Sequence, residues 1–538
     1  MRGEIPAASH VPGSRRLYSP GQASLKVVHN SLLFLAAIVA VVVLLKATTL
    51  GSALGSDSVA YIAAARNLIA GRGLTRLSGP TGTKPMTHYA PLFALVLSGM
   101  HVFGLDAIGA ARLVNALMFG ANVLLVGLAV GEVTSSVGLS LLGALVTLTS
   151  PIMIEVHSWT MSEPLYLFLG LMGLYLLSCY QKRRRRGLLI ASAVSIGLAF
   201  LTRYVGGSVV ASAVAAVLLE SGVGRREKVR DALLFLLFSL PPMGAWMIRN
   251  LVLTGGLTSR QLAWHPIAVS LLKRPLALVW EWLLPWEFSH PALLVTCAFV
   301  GLLLVGGLVF FFGQLRKRDA QSVCPPTPLS RLHFIYIAVY AVSIVLTICL
   351  FDAATEINNR IASPVYVSLV VVLLAAVSCF MRSRWAGRVA KIGVYLLALT
   401  LVTSYVHRSV RLVQELAVIP RGFGELMLQQ EGGLEEVRAI PAQTVIYTNN
   451  LEALYIIYNR GGYLVPETFD PITLEPRSDF DQWSERTTTA VESGRAILVF
   501  FSPDHGEIDP WLTPGLTELV ARNGVVIVGQ VSQIVPRE

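Results

Sequence analysis

The residue best placed for chemistry is a carboxylate, Asp57, which closely follows the first long apolar run of the chain. That run, residues 31–50, is about long enough to cross a bilayer as a helix. Its amino-terminal flank carries Arg15, Arg16 and Lys26, and this predicts a cytoplasmic amino terminus because cytoplasmic flanks favour positive charge. Asp57 is therefore expected at the outer membrane surface, where a carboxylate can take a proton from a hydroxyl group.

Four basic residues run against the charge bias, because the predicted topology places them outside: Lys84, Arg203, Arg249 and Arg360. Cations at membrane depth are costly and usually face a cavity with an anionic partner. A guanidinium can also bond two phosphate oxygens at once. Together these residues predict a phosphate-bearing ligand. The alternative is that their side chains reach lipid headgroups or pair with nearby acids.

A second carboxylate, Glu163, opens a later apolar span and is predicted on the same side as Asp57. A helix start explains part of this pattern, because Ser162 suits the cap position, Glu163 the positive helix end and Pro164 the first turn. Helix capping and participation in a site both remain open from the sequence.

Two histidines lie near these acids, His88 and His157. With no cysteine cluster and no HExxH spacing, we predict no metal site, and a hydrogen-bonding role for either histidine stays open. Aromatic residues in the stretch 250–290 fit an interfacial belt or a platform for a lipid tail or sugar. They are Trp264, Trp280, Trp282 and Trp286.

The composition points to a polytopic membrane protein. Of 538 residues, 54% are hydrophobic and only 14% are charged, whereas a soluble protein carries about a quarter charged residues. The net charge of +11 is concentrated in short basic loops, which predicts contact with membrane lipids and no nucleic-acid partner.

Charge and length together predict about eleven transmembrane helices with outer juxtamembrane helices. Parity between Asp57 and the basic loop at 181–186 requires that one of three apolar segments does not cross. Residues 90–104 are apolar but short, so they are expected to lie along the outer surface or to re-enter. An amphipathic helix is expected from Asp57 to Leu68, capped by Ser56 or Asp57. The predicted spans are 31–50, 107–131, 137–151, 162–180, 187–204, 206–220, 232–248, 291–313, 332–351, 364–381 and 391–407.

The composition changes after residue 407. Strands are predicted at 444–447, 496–501 and 525–531, and helices at 451–459 and 512–522. We therefore expect a basic cytoplasmic segment (1–30), a transmembrane domain (31–407) and a small extracytoplasmic α/β domain (408–538). The cell membrane is the expected location.

These short motifs, taken in order, resemble the C-type membrane glycosyltransferases, within them the branch of protein O-mannosyltransferases and lipid A aminoarabinose transferases. The resemblance covers about residues 30–410. Its members have an acid and a tyrosine after the first span, a Pro-Leu surface helix, a second acid, and Thr-Arg, Trp-x-x-Arg-Asn and Arg-x-x-x-Pro motifs. The matching residues here are Asp57, Tyr61, Pro91, Leu92, Glu163, Thr202, Arg203, Trp246, Arg249, Asn250, Arg360 and Pro364.

The chain departs from the family at two acids: Ser58 follows Asp57 where many relatives have Glu, and Glu163 often has Asp in its place. The resemblance implies inverting transfer of a sugar from a polyprenyl-phosphate donor to a lipid, glycan or protein acceptor. Asp57 would be the general base, and Glu163 a second catalytic residue that orients acceptor or sugar hydroxyls. It also implies that the outside basic residues and their neighbours contact the substrate. No cofactor is expected to be required, since arginines can neutralise the phosphate. The implied substrate-binding residues are Tyr61, Lys84, His88, His157, Arg203, Arg249, Asn250 and Arg360.

Two other classes of protein stay open. A transporter or flippase typically has paired repeats and ionisable groups near the middle of its spans, whereas here the charges cluster at span ends. A scaffold whose outer domain does the work would need residues 408–538 and not the outside cations.

Overall fold

The computed structural model describes residues 20–79, 82–260, 326–351, 355–383, 387–429, 435–469, 476–501 and 526–528, with 262, 264, 274–275, 277–279 and 281–282. The predicted span 291–313 and the predicted helix 512–522 lie outside this part of the chain. So do Trp280 and Trp286.

Helices dominate the first half of the chain, and a short antiparallel hairpin interrupts them. The hairpin strands are β1 (Thr75–Ser78) and β2 (Gly82–Pro85). The helices are α1 (Pro20–Ala47), α2 (Ser56–Ile69), α3 (Leu92–Gly99), α4 (Ala107–Thr134), α5 (Val137–Leu148), α6 (Pro151–Ser158), α7 (Glu163–Arg183), α8 (Arg186–Thr202), α9 (Gly207–Leu218), α10 (Arg225–Ser239) and α11 (Pro241–Thr254). Single 3₁₀ turns follow α3 and α8.

The second half begins with three long helices and ends in a mixed region. The helices are α12 (Pro328–Leu350), α13 (Asn359–Arg382), α14 (Arg388–Val418), α15 (Phe423–Gln429), α16 (Glu435–Ala439), α17 (Leu451–Tyr458) and α18 (Phe480–Glu492). The strands are β3 (Val445–Thr448), β4 (Tyr463–Leu464), β5 (Ala496–Phe501) and β6 (Val526–Val528). Helix α14 runs across the predicted domain boundary at residue 407.

Among the described residues, five helices are long and apolar enough to cross a membrane, and seven segments qualify if two bent helix pairs are each counted as one span. The five are α1 from Ser24 onward, α4, α7, α12 and α13. Helices α8 and α9, predicted as spans, are apolar but shorter. Helix α3 with its 3₁₀ turn is shorter still, as expected of residues 90–104.

Two predicted spans are broken rather than continuous, and proline is the reason in both. Residues 137–151 were expected as one helix, but α5 ends at Leu148 and α6 starts at Pro151 with a bend of 51°. Residues 232–248 were also expected as one helix, but Pro241 starts α11 after a bend of 49°. A proline lacks the backbone donor that would continue the preceding helix.

Helix α2 lies in a core that joins the helical region to the carboxy-terminal region. Its buried face includes Tyr61 and Ile62, which belong to one cluster with Phe93 of α3 and Trp246 of α11. Tyr455 of α17 belongs to the same cluster. The helix that begins beside Asp57 is therefore held from both sides.

The carboxy-terminal region contains a four-stranded parallel sheet in the order β4-β3-β5-β6. Buried apolar residues such as Ile446 and Val499 form its core with Leu454 of α17. Gly461 comes so close to the hairpin that an added Cβ would lie 2.1 Å from the carbonyl oxygen of Gly79. Backbone therefore packs directly on backbone where this region meets the β1–β2 hairpin.

Candidate active site

Four charged side chains from four parts of the chain meet at the start of α2. Arg360, near the start of α13, pairs with Asp57 through Nη2 and with Glu163 through Nε. Arg203, at the end of α8, pairs with the same oxygen of Glu163. The result is an alternating series, Asp57–Arg360–Glu163–Arg203, in which two carboxylates balance two guanidiniums. We call these four residues the charge cluster.

Backbone pairing explains why the two carboxylates are neighbours although they are far apart in the sequence. The Ala53 amide donates to the Ser158 carbonyl at 3.0 Å, and the Thr160 amide donates back to the Ala53 carbonyl at 2.9 Å. These bonds hold the segment before α2 beside the segment before α7. Asp57 and Glu163, each in the first turn of its helix, then project from adjacent helix ends.

The cap of α2 differs from the prediction that Ser56 or Asp57 caps this helix. Gly55 is the N-cap residue, and its amide donates to the Ser58 hydroxyl at 3.0 Å. A Cβ on Gly55 would lie 2.9 Å from the terminal methyl group of Met161, so a larger cap residue would require that flexible side chain to shift. The Asp57 carboxylate consequently does not cap the helix, and it is available to pair with Arg360 in the charge cluster.

Glu163 also does more than begin a helix. Its side chain is only 3% exposed, and two guanidiniums share its Oε1. Both of its carboxylate oxygens are buried, and within the described part of the chain neither has a hydrogen-bond partner besides these ion pairs to Oε1. Ser162 occupies the cap position without a side-chain cap bond, because its hydroxyl lies 3.1 Å from Tyr61 Oη and accepts from Arg203 at 3.3 Å.

Tyr89 completes the surroundings of Asp57 and was not selected from the sequence. Its hydroxyl donates to Asp57 Oδ1 at 2.8 Å, and its ring lies 5.3 Å from that of Tyr61. Its only sequence signal is its place between His88 and Pro91, in the segment that also carries Lys84. The sequence around this tyrosine does not predict its hydrogen-bond partner, Asp57, which lies 32 residues earlier.

The cluster keeps Asp57 ionised. Burial by itself raises the pKa of this carboxyl, but the charge of Arg360, the Tyr89 hydrogen bond and the charge of Arg203 outweigh it. The net effect is a pKa below the usual value for aspartate.

Arg249 and Asn250 lie apart from the charge cluster. The Arg249 guanidinium donates to the carbonyls of Met86 at 2.9 Å and Leu74 at 3.0 Å, and it lies 4.5 Å from the Trp246 ring. Asn250 accepts from Arg249 at 2.9 Å. Because its two carbonyl partners flank the β1–β2 hairpin, Arg249 braces that hairpin.

The hairpin itself carries Lys84, which is exposed on β2 directly opposite Arg76 on β1. Like charges at facing positions repel each other, so this pair favours an anion nearby. His88 follows the hairpin, with Nδ1 3.1 Å from the Ser259 hydroxyl and its ring 4.8 Å from that of Tyr89. Within the described part of the chain, the ion pairs of the charge cluster do not include Lys84.

His157 is buried, and both of its ring nitrogens have partners. Nδ1 lies 2.6 Å from the Met153 carbonyl, and Nε2 lies 3.0 Å from the Asn122 amide nitrogen. These contacts fit a neutral ring that donates to the carbonyl and accepts from the amide. The nearby Glu155 pairs with Arg421 at 2.9 Å. In the described residues no group of three His, Cys, Asp or Glu side chains could hold a metal ion.

Trp282, in the aromatic stretch 250–290, contacts a neighbour of the charge cluster. Its indole nitrogen donates to Asn359 at 3.1 Å, and its carbonyl accepts from the Tyr405 hydroxyl at 2.6 Å. Asn359 immediately precedes Arg360, so this contact fixes the start of α13. Trp264 is 73% exposed.

Comparison with known proteins places this geometry in a wider setting. A family model described as dolichyl-phosphate-mannose-protein mannosyltransferase matches residues 85–241, which include Glu163 and Arg203. The chain is similar to ArnT from Cupriavidus metallidurans in the apo state, with a TM-score of 0.56 and 15% identity over 93% of this chain and 95% of that chain. The chain has the C-type glycosyltransferase fold.

Two further structures have the same fold. One is ArnT from Cupriavidus metallidurans bound to undecaprenyl phosphate, with a TM-score of 0.54 and 15% identity over 90% of this chain and 94% of that chain. The other is archaeal oligosaccharyltransferase AglB from Archaeoglobus fulgidus, in complex with an inhibitory peptide and a dolichol-phosphate. Its TM-score is 0.50, with 12% identity over 88% of this chain and 69% of that chain. None of the curated protein sequences compared with the chain matches it.

The resemblance inferred from short motifs is thereby confirmed. The apolar helices and the C-type glycosyltransferase fold also make the chain an integral membrane protein. The fold is shared over nearly the whole length of ArnT, although few residues are identical.

Proposed function

We propose that the protein is a glycosyltransferase that moves a sugar from a polyprenyl-phosphate donor to a hydroxyl of a lipid, glycan or protein acceptor. The observation that carries this proposal is the charge cluster, Asp57–Arg360–Glu163–Arg203, at the start of α2 in a C-type glycosyltransferase fold. ArnT, which has this fold, has been seen with undecaprenyl phosphate, and the matching family model is described by a dolichyl-phosphate sugar donor.

Asp57 is the general base in this proposal. Its carboxylate is ionised and its side chain is 24% exposed, so it can receive a proton from an approaching acceptor hydroxyl. The acceptor oxygen attacks the anomeric carbon as its proton passes to Asp57, and the bond from that carbon to the phosphate oxygen breaks. Attack opposite the leaving phosphate inverts the anomeric centre through an oxocarbenium-like state.

The leaving group is a polyprenyl phosphate, and its growing negative charge needs fixed cations. Glu163 holds Arg360 and Arg203 in place through ion pairs. The Arg360 side chain is 32% exposed, so a bound phosphate can reach it. Preorganised donors of this type are often the largest single contribution to catalysis because they need no reorganisation during the reaction. Lys84 is the proposed additional phosphate contact from the hairpin. These cations replace a divalent metal, so no cofactor is proposed.

Glu163 has two proposed roles. Its Oε1 aligns the two arginines, and its Oε2 has no hydrogen-bond partner among the described residues. A buried carboxylate oxygen normally has a partner, so a hydroxyl of the bound sugar or acceptor is proposed to supply it. The remaining residues expected at the site are proposed to support it, mostly by positioning the side chains and backbone around the substrates. They are Tyr61, His88, His157, Arg249 and Asn250.

We also propose the arrangement across the membrane. The amino terminus is cytoplasmic, the span count is about eleven, and residues 408–538 form an extracytoplasmic α/β domain. Helix α17 supports the last point because its Tyr455 packs in the same cluster as Tyr61 of α2. The carboxy-terminal region thus lies on the side of the membrane where Asp57 meets its substrates.

The test is sugar transfer by the purified full-length protein in nanodiscs. A panel of radiolabelled polyprenyl-phosphate monosaccharides serves as donors, and a cell-envelope fraction serves as the source of acceptors. Wild type should transfer one of the sugars, and Asp57→Asn should lose transfer while it still binds the donor. Equal transfer by both proteins would remove Asp57 from the chemistry. Donor binding without transfer, followed by movement of the donor between leaflets, would favour a flippase instead.

A further inference from the structure

Asp57 lies in the first turn of α2, and each of its two carboxylate oxygens has a partner. Oδ2 pairs with Arg360, and Oδ1 accepts the Tyr89 hydroxyl at 2.8 Å. The Arg360 contact is shared with Glu163, so it alone does not decide where the Asp57 carboxylate points. The neutral hydroxyl of Tyr89 supplies the second contact, which does.

The segment that carries Tyr89 is itself braced at two carbonyls. Arg249 donates to the Met86 carbonyl at 2.9 Å, and the Tyr204 hydroxyl donates to the Thr87 carbonyl at 2.9 Å. Trp246 donates in turn to the Tyr204 hydroxyl at 3.0 Å. We call residues 86–89 the braced loop. Its contacts give the Tyr89 ring a defined position next to α2.

Tyr89 is suited to donate at every working pH. Burial raises the pKa of its hydroxyl, and the neighbouring Asp57 charge raises it further. The hydroxyl therefore keeps its proton while Asp57 is ionised, so the direction of the hydrogen bond is fixed. A donor to the ionised form of a carboxyl favours that form.

From this geometry we infer that Tyr89 is the positioning residue for the Asp57 carboxylate. Held by the braced loop, Tyr89 occupies Oδ1 and keeps the carboxylate in its ionised state. Oδ2, which pairs with Arg360 through one lone pair, then offers its other lone pair to the acceptor hydroxyl. Tyr89 does not touch the reacting atoms in this arrangement. The catalytic consequence rests on the proposed function, whereas the effect on Asp57 itself does not.

The first experiment measures Asp57 directly and needs no substrate. Full-length protein in nanodiscs is treated with a water-soluble carbodiimide and an amine over a range of pH, and labelling of the peptide containing Asp57 is followed by mass spectrometry. Carbodiimide reacts with the protonated carboxyl, so the pH midpoint of labelling reports its ionisation. Tyr89→Phe should move the midpoint upward by about one pH unit, the shift expected for loss of a hydrogen bond to a charged group.

Tyr204→Phe is the matched control. It removes a hydroxyl of the same kind that bonds the braced loop and not Asp57. Its labelling midpoint should shift by much less than that of Tyr89→Phe, because the Arg249 bond to the Met86 carbonyl still holds the loop. An unchanged midpoint in Tyr89→Phe would overturn the inference, and so would an equal shift in Tyr204→Phe, because the effect would then follow loosening of the loop.

The second experiment measures transfer with the donor identified by the panel described above. Tyr89→Phe should lower kcat about tenfold with little change in KM for the donor, and the acid limb of its kcat/KM profile should move to higher pH. In an Asp57→Asn background, Tyr89→Phe should cause no further loss. A rise in KM alone, or an independent loss in that background, would overturn the positioning role. If no donor supports transfer, the proposed function fails, and the labelling midpoint still decides the inference about Tyr89.

Discussion

Replacing Arg360 with methionine tests the charge cluster at its centre. Arg360 is the residue that contacts both carboxylates, through separate guanidinium nitrogens. Methionine keeps much of the apolar length of the side chain and removes the charge and all five donors. Glu163 would keep Arg203 as a partner, whereas Asp57 would lose its ion pair and keep the Tyr89 hydroxyl at 2.8 Å.

The size of the effect follows from the loss of one preorganised cation at the leaving phosphate. Removing one such hydrogen-bond donor costs about 3–4 kcal/mol of transition-state stabilisation. The Arg360 side chain is 32% exposed, so solvent screens part of its attraction for the phosphate and the lower end applies. About 3 kcal/mol corresponds to about a hundredfold change. We therefore expect kcat/KM for the donor to fall about a hundredfold in Arg360→Met.

The pH dependence has a definite sign. The pKa of Asp57 lies below its usual value, and the Arg360 charge is the largest of the causes that lower it. Without that charge the pKa rises, so the ionised base is lost at a higher pH as the solution is acidified. The acid limb of the kcat/KM profile should therefore move to higher pH, because this profile reports the free enzyme.

Transfer assays over a range of pH, with Arg360→Lys as the control, check this reasoning. Lysine keeps the charge but offers a compact ammonium in place of the fork that bridges two carboxylates. Its rate should fall between those of wild type and Arg360→Met, with a smaller shift of the acid limb. If Arg360→Met transfers sugar at the wild-type rate with an unshifted profile, the cluster does not act in catalysis.

Three more outcomes are expected. Arg249→Met should lower the melting temperature, since loss of charge-assisted bonds to two loop carbonyls costs about 2 kcal/mol or more, and an unchanged melting temperature would contradict the bracing role. Gly461→Ala should lower transfer, because its Cβ would lie 2.1 Å from the Gly79 carbonyl oxygen. Gly244→Ala is the control, since its Cβ would meet open space, and it should leave transfer unchanged. Equal rates in the two variants would argue against coupling of the hairpin to the carboxy-terminal region. EDTA should leave transfer intact because arginines neutralise the phosphate, and a loss restored by Mg²⁺ or Mn²⁺ would refute this.

The sequence was most informative about local features. Long apolar runs predicted membrane helices, and α4, α7, α12 and α13 lie where spans were expected. The helix from Ser56 to Ile69 and the strands β3 and β5 also follow from nearby residues. Such elements are legible because hydrophobic period and length depend on residues that are adjacent in the chain. Continuity was harder to predict, as the breaks at Pro151 and Pro241 show.

The partners of the charged side chains could not be predicted from nearby residues in the same way. Arg249 and Arg360 look alike in the sequence, since each lies at the end of an apolar segment. The structure pairs Arg360 with two carboxylates and Arg249 with two carbonyls of the loop around the hairpin. Tyr89 shows the same limit, because nothing near it in the chain names Asp57 as its acceptor.

The sequence by itself thus determined a membrane protein with Asp57, Glu163 and several cations placed at helix ends, and its ordered motifs indicated the fold. Only the tertiary structure decided that Arg360 joins the two carboxylates, across 303 residues of chain from Asp57. Residue type and local period determine which groups are charged and which helix end carries them. The partner of each charge depends on which distant helices pack side by side, and that is set by the whole folded chain.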